Sequence, residues 1–223
     1  MITQIGKEID LLQNFPKVKR DIQQRSEKKT EEDRAIARQF GKEFFDGSRK
    51  CGYGGYHYHP KFWQGVVRDF QNYYHLTPQS KVLDVGCAKG FLLYDFMKLI
   101  PGIEVAGIDI SSYAIEQSPA EIKPFLKVAD ARKIPFPDRS FDLVISINTV
   151  HNFEGQDLAQ SFQEIERVSK GNSFIVVDAY RNQQEKELLY HWNLTARSIL
   201  PVEDWKTLFK RVGYSGDYFW FIP

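Results

Sequence analysis

The chain has 223 residues, 42% hydrophobic and 26% charged, with a formal net charge of +1. That is enough apolar material for one α/β domain with an added segment, and the near-neutral balance argues against a large electrostatic footprint for nucleic acid. Two cysteines, Cys51 and Cys87, give no disulfide framework and suit a reducing cytoplasm, while no run is long and apolar enough to span a membrane and Lys7, Glu8 and Asp10 interrupt any secretion-signal core.

The first stretch, from Ile2 to about Phe45, reads as helical. Ile5, Ile9 and Leu12 recur on one face before Pro16 interrupts, and Ala35, Ile36, Phe40, Phe44 and Phe45 form a second pattern. The charged run between them, Glu27 to Arg34, reads as a solvated helix face. Such a segment can cap a site or form a dimer contact. Cys51 to Trp63, CGYGGYHYHPKFW, has a different character. Its glycines give an adaptable backbone, and its tyrosines and histidines give aromatic surfaces with polar tips. It reads as a lid over a cofactor or substrate, or as an aromatic loop packed on the domain. His57 and His59 stand two apart, but no neighbouring Cys, Asp or Glu completes a coordination sphere, so no metal is expected. Pro60 then opens a helix carrying Phe62, Trp63, Val66, Val67 and Phe70.

Lys81 to Leu93, KVLDVGCAKGFLL, is the stretch around which the rest can be placed. Val82, Leu83 and Val85 surround Asp84, the pattern breaks at Gly86-Cys87-Ala88-Lys89-Gly90, and an apolar helical run resumes at Phe91. This order gives a buried strand, a glycine turn and a helix start whose free N–H groups point over the turn. A dinucleotide fingerprint would read G-x-G-x-x-G. Here an acid precedes the first glycine and Ala88 stands where a middle glycine often sits, which disfavours a pyrophosphate and favours a cationic group.

Strand and helix then alternate. Phe91 to Leu99 is a helix, and Ile103 to Ile108 is a strand ending at Asp109, 109 − 84 = 25 residues after Asp84. That is near the spacing at which an acid meets a ribose hydroxyl pair. Ser111 or Ser112 caps the next helix. Phe125 to Val128 is a strand followed by Asp130-Ala131. Leu143 to Ile147 is the fourth strand and runs into Asn148-Thr149-Val150-His151-Asn152. A helix spans Asp157 to Ser169. Ser173 to Val177 is the fifth strand, with Asp178-Ala179-Tyr180-Arg181 at its end. A helical insertion spans Gln183 to Leu200, a last helix Pro201 to Val212, and a final strand Tyr218 to Ile222. Parallel strands of this kind bind ligands at their carboxyl ends.

The ordered set Asp84/Gly86/Gly90, Asp109, Asp130 and Pro135-Phe136-Pro137-Asp138-Arg139-Ser140-Phe141-Asp142 resembles the class I S-adenosyl-L-methionine (SAM) dependent methyltransferases, over roughly Ser80 to Tyr214. The last segment is similar to one shared by small-molecule enzymes that include the ubiquinone and menaquinone C-methylating ones. The loop GYGGYHY, with INTVHN and HWNLT, looks like stand-alone bacterial enzymes associated with surface-polysaccharide biosynthesis. The resemblance implies a Rossmann-like α/β sheet with helices on both faces. It places the acid of the first motif near the methionine ammonium, the glycine turn against the methionine part and Asp130 near the adenine amino group. The Asp/Asn-Pro-Pro-Tyr motif of amino-methylating nucleic-acid enzymes is absent. The antiparallel edge partner usual in the family has no sequence left to form it, which leaves the edge strands open.

These readings give an N-terminal helical cap and lid over 1–75 and a SAM-binding core over 76–223, with a substrate-side insertion about 179–200. The expected cofactor contacts are Tyr53, Asp84, Gly86, Cys87, Gly90, Asp109, Ile110, Ser111, Asp130, Ala131 and Asn148, and S-adenosyl-L-homocysteine is the product. Cys87 is read as packing, not as a nucleophile. Bulk at Gly86 is expected to occupy the methionine position and leave the fold largely intact. Tyr56, His57, Asp178, Tyr180 and Arg181 are expected on the substrate side, Arg181 either binding an anionic group or pairing with Glu185 or Glu187. His151 is the candidate base for an acceptor hydroxyl, or a residue that only orients Asn148. The expected acceptor is a hydroxyl of a sugar or related metabolite, with a small amine or phospho-amine, or a non-catalytic SAM-binding subunit, as alternatives.

Overall fold

The computed structural model describes residues 4–16 and 29–222; Ile2 and Glu27 lie outside the described residues. Strands β1 (Lys81–Val85), β2 (Glu104–Asp109), β3 (Leu126–Val128), β4 (Leu143–Ile147) and β5 (Ser173–Tyr180) pair in the order β3-β2-β1-β4-β5, every pair parallel. Strands β6 (Leu200–Pro201) and β7 (Asp217–Phe221) share the outer edge of β5, β7 along Phe174 to Asp178 and β6 along Ala179 and Tyr180, both parallel.

Helices α1 (Glu31–Ala37), α2 (Lys42–Phe45), α3 (Pro60–Tyr74), α4 (Phe91–Leu99), α5 (Ser112–Glu116), α6 (Gly155–Val168), α7 (Gln183–Trp192) and α8 (Val202–Val212) surround the sheet. Strands buried on both faces carry near-continuous apolar runs, and successive residues point to opposite faces. Val82, Ile145, Phe174 and Val176 accordingly pack with Val66, Val67 and Phe70 of α3 and Phe96 of α4. Leu83, Val85, Val144, Ile175 and Val177 pack on the other face with Phe162 and Ile165 of α6 and Trp205 and Phe209 of α8. The result is the expected three-layer, Rossmann-like fold.

The N-terminus departs from expectation. Residues 4–16 are not helical. The Ile9 N–H donates to the Tyr218 carbonyl (2.9 Å) and the Tyr218 N–H to the Lys7 carbonyl (3.0 Å), so Glu8 pairs in parallel with Tyr218 and covers the outer edge of β7. Asp10 Oδ1 then accepts the Leu12 N–H and starts a turn. A short helix cut by Pro16 is marginal, whereas an open strand edge offers ladder partners, and the edge wins. Two further boundaries move. β5 runs on to Tyr180, so Asp178 lies within the strand, and α7 stops at Trp192 rather than Leu200. Asn193 ends it by accepting the Ala196 N–H on Oδ1 (2.8 Å) and donating back to the Ala196 carbonyl (3.1 Å).

The edge contact is close. A Cβ at Gly6 would lie 2.2 Å from the Gly216 carbonyl oxygen. Gly6→Ala should destabilise the fold by about 1–3 kcal/mol through overpacking. Urea denaturation checks this as a lowered midpoint with an unchanged slope.

Candidate active site

The chain leaves β1 through three left-handed residues, Gly86 (φ +86°), Ala88 (φ +50°) and Gly90 (φ +73°). The Gly86 and Cys87 N–H groups both donate to the Ile108 carbonyl (2.8 and 3.0 Å), which locks the turn to the end of β2. A Cβ on Gly86 would lie 2.0 Å from Thr149 Oγ1. Bulk at Gly86 therefore strikes the turn after β4 and strains a left-handed backbone, so it costs stability, contrary to the expectation of an intact fold. Cys87 is buried, and burial, then Asp109 and Asp84, push its thiol well up, in keeping with packing.

The acids at the strand ends differ in environment. Asp84 is buried, and among the described residues no hydrogen bond reaches its carboxylate; burial, then the neighbouring Asp109, pushes it up to about 8. Asp109 is buried too and raised by burial, but its two oxygens accept the Ala88 N–H (2.7 Å) and the Ser111 N–H (2.8 Å), which oppose that rise. Asp130 is instead held below the usual range by hydrogen bonds from Arg132, which also reaches Asp157 (2.6 Å). Ile110 is 55% exposed beside Asp109, whereas Ala131 is buried in the core. Ser111 caps α5 by accepting the Ala114 N–H, and its hydroxyl donates to the Phe40 carbonyl.

The aromatic loop lies over this turn. Tyr56 stacks on Phe91 (5.0 Å between centroids) and packs against Tyr53 (4.6 Å) and Phe45. Its hydroxyl is pushed well up by burial, then by Tyr53, Asp84 and Asp109. The loop is tied down by Asp46, a residue that the sequence pattern did not single out. Asp46 accepts from the Tyr56 N–H (2.9 Å), Lys89 Nζ (2.6 Å) and the Tyr113 hydroxyl (2.8 Å). Lys89 belongs to the glycine turn and its side chain is buried. Burial opposes ionisation of Asp46, but these donors outweigh it and bring the carboxyl down to about 2. Asp46 and Lys89 stand 43 positions apart, so no local pattern could show the pair. His59 Nδ1 accepts the Lys61 N–H and caps α3.

After β4, Asn148 is exposed in the left-handed region (φ +54°), at the carboxyl end of the strand. His151 is buried. Its Nδ1 accepts the Asp178 N–H (3.0 Å), and a hydrogen bond to the Asn148 backbone and the Asp178 carboxylate at 3.5 Å oppose the downward push of burial on its pKa. The ring is thereby fastened between the β4 turn and β5. Asp178 itself is buried and raised by burial, with His151 opposing. The remaining substrate-side candidates do not converge. Tyr56 is on the cofactor-turn side, His57 is exposed, Tyr180 ends β5 half-buried, and Arg181 is exposed and pairs with Glu8 (3.4 Å) and Glu185 (4.0 Å).

Residues 83–177 match a family model described as a methyltransferase domain. The chain is 30% identical over 152 residues to a demethylmenaquinone methyltransferase of Symbiobacterium thermophilum, covering 64% of this chain and 59% of that one. It is also 30% identical over 125 residues to a malonyl-[acyl-carrier protein] O-methyltransferase of Legionella pneumophila, covering 54% and 43%. The chain thus spans about half the length of these curated relatives. Among solved structures, the YcgJ protein of Bacillus subtilis superposes with a TM-score of 0.54 at 18% identity, covering 66% of each chain, a likeness of fold.

The matched family implies SAM as cofactor, and the residues present fit it. Asp84 is a buried acid that stays protonated until a cation stands beside it, and the methionine ammonium is such a cation. Asp109 keeps lone pairs for a ribose hydroxyl pair beyond the two N–H groups it already accepts. Ile110 offers apolar surface beside it.

Two outcomes follow. A cationic cofactor should ionise Asp84, so titration calorimetry with SAM at neutral pH, in buffers of different ionisation enthalpy, should register release of about one proton. Asp84→Asn should abolish that release. Asp46→Asn should leave the buried Lys89 ammonium unpaired and cost about 3 kcal/mol. Because Asp46 titrates at about 2 in the fold against 3.8 ordinarily, its contribution is present above about pH 4 and lost as pH falls toward 2. Acid unfolding of the wild type, but not of Asp46→Asn, should show that added loss.

Proposed function

We propose that this chain is an enzyme that moves a methyl group from SAM to a small polar acceptor, a hydroxyl of a sugar or related metabolite. The observation that carries the reading is the pair of buried acids at the ends of adjacent strands, Asp84 awaiting a cation and Asp109 placed for hydroxyls. The Legionella relative is named as an O-methyltransferase, and the turn after β4 reads INTVHN without an amino-methylating motif. Surface-polysaccharide biosynthesis is the setting we favour for such an acceptor.

When bound, the cofactor supplies an activated methyl on a sulfonium, leaving S-adenosyl-L-homocysteine after transfer. The chain supplies alignment. Asp84 and Asp109 fix the two ends of the site from a rigid sheet, and Tyr56, held by Asp46, closes over the turn. Asp84 would hold the methionine ammonium and Asp109 the ribose hydroxyls, the bound cofactor would supply the methyl group, and the acceptor's hydroxyl proton would pass to a base or to water. We assign His151 a positioning role, because Nδ1 already accepts the Asp178 N–H and the ring is held between two strands. Its substitution should then lower the melting temperature, without placing a histidine break in the pH–rate profile.

The test is transfer of labelled methyl from SAM to a panel of sugars, sugar acids, hydroquinones and small amines. Label on a hydroxyl is expected, and Asp109→Ala should weaken SAM binding by about 1–3 kcal/mol through loss of the charged acceptor. Label on an amine overturns the oxygen assignment. SAM binding with no transfer to any class overturns the enzyme reading in favour of a binding subunit.

A further inference from the structure

A cavity of about 310 Å³ opens on the carboxyl side of the sheet, outside the residues assigned above to the cofactor. Four separate stretches build it: Arg38 and Phe40 ahead of the lid, Arg132 after β3, Asn152 and Phe153 with the start of α6, and Arg197 in the loop after α7. The wall is fastened to the proposed cofactor edge at two points. The Phe40 carbonyl accepts the Ser111 hydroxyl, and Arg132 is held by Asp130. The floor is fastened as well, since the Arg197 and Ser198 N–H groups both donate to the His151 carbonyl (2.9 Å each).

The charges in the wall are not equally occupied. Arg132 is taken up by Asp130 and Asp157, and Arg197, exposed, pairs with Glu154 at 3.3 Å. Arg38 has no such partner among the described residues, and its Nε is buried without any hydrogen bond. Asn152 Oδ1, also in the wall, is another buried polar atom without a hydrogen bond among the described residues. A buried guanidinium nitrogen without an acceptor is costly, and a native fold rarely keeps one without a reason. The guanidinium fork matches a carboxylate or phosphate oxygen pair, and a neutral amide oxygen matches a hydroxyl donor. Two unmet partners in one wall specify a ligand with both groups.

We propose that this cavity holds the methyl acceptor through an oxyanion on Arg38, and that the acceptor is a hydroxylated carboxylate or phosphate. The inference rests on the methyltransferase reading and narrows its acceptor class. It moves the anion-binding role from Arg181, whose charge is shared with Glu8 and Glu185, to Arg38. Arg132 and Arg197 raise the local potential, while Glu154 and Asp157 keep them in place.

The test is titration calorimetry of the protein saturated with S-adenosyl-L-homocysteine, using inorganic phosphate, gluconate and, as a neutral control, glucose. Binding of phosphate or gluconate is expected, with glucose much weaker, and the preferred anion distinguishes phosphoryl from carboxyl. Arg38→Gln should weaken that binding tenfold or more, Arg38→Lys less, and Arg181→Gln should leave it unchanged. Asn152→Asp, which adds a negative charge to the wall without touching Arg38, should weaken it to a similar extent and serves if Arg38→Gln does not fold. No binding of either anion, or affinities indifferent to both Arg38→Gln and Asn152→Asp, overturns the proposal. Affinity for S-adenosyl-L-homocysteine, measured first on the same samples, separates the two readings: its absence in the wild type overturns the methyltransferase reading, whereas its presence with indifferent anion binding overturns only the cavity's role.

Discussion

Parallel pairing is the constraint on which the site depends. β1 lies between β2 and β4 with Asp84 in register with both Gly107 and Ile145. That register brings the carboxyl ends of five strands to one edge, so acids far apart in sequence arrive side by side. Two consequences follow from the crowding. Gly107 is needed because a Cβ there would meet Cys87 Sγ and Leu93 within 2.8 Å. Asp84 and Asp109 are both buried, and burial first, then the charge of Asp109, pushes Asp84 up to about 8. The backbone N–H groups of Ala88 and Ser111 go to Asp109 alone. The asymmetry between two chemically identical side chains thus comes from which of them the turn backbone can reach.

Most of this architecture was legible in the sequence because it is local. The KVLDVG run, the glycines and the β-branched fourth strand dictate strand, turn and helix from residues within a few positions of one another, and the acids at strand ends follow from the alternation. The edges were not legible. Ile5, Ile9 and Leu12 have helical spacing, yet they flank a segment that pairs with Tyr218, more than two hundred positions on, and no local rule measures the demand of an open edge. β7 shows the same limit. Its aromatic run announces a strand but not its direction, which here is parallel to β5.

Side-chain roles divide in the same way. Asp109 and Asp130 were named from their places at strand ends, but their different states depend on neighbours: backbone N–H groups for one, Arg132 for the other. His151 stood out as a histidine after the fourth strand. Its occupation by the Asp178 N–H depends on β5 running beyond Val177, a boundary set by pairing with β6 and β7 rather than by composition. Asp46 and Arg38 were passed over because a lone charged residue in a polar segment reads as solvated. What distinguishes them is the distant residues they face, Lys89 and Tyr113 for Asp46 and the opposite wall of the cavity for Arg38, and that is a property of the packed molecule.

A net charge of +1 sets how recognition can work here. With so little overall field, steering of a charged ligand over distance is weak and selectivity has to be built at contact range. The structure meets that demand through individual charges held at short range, Lys89 buried and Arg132 partly exposed. Lys89 is matched by Asp46 and Arg132 by Asp130, so the loop and the third strand end are held in place. Among the described residues Asp84 and Arg38 are left unmatched, one negative when ionised and one positive. A cationic cofactor and an anionic acceptor are the complement of that pattern. Their attraction is strongest where water is excluded, which is the space that Tyr56 and Phe40 close when Asp46 and Ser111 hold the N-terminal segment on the sheet edge.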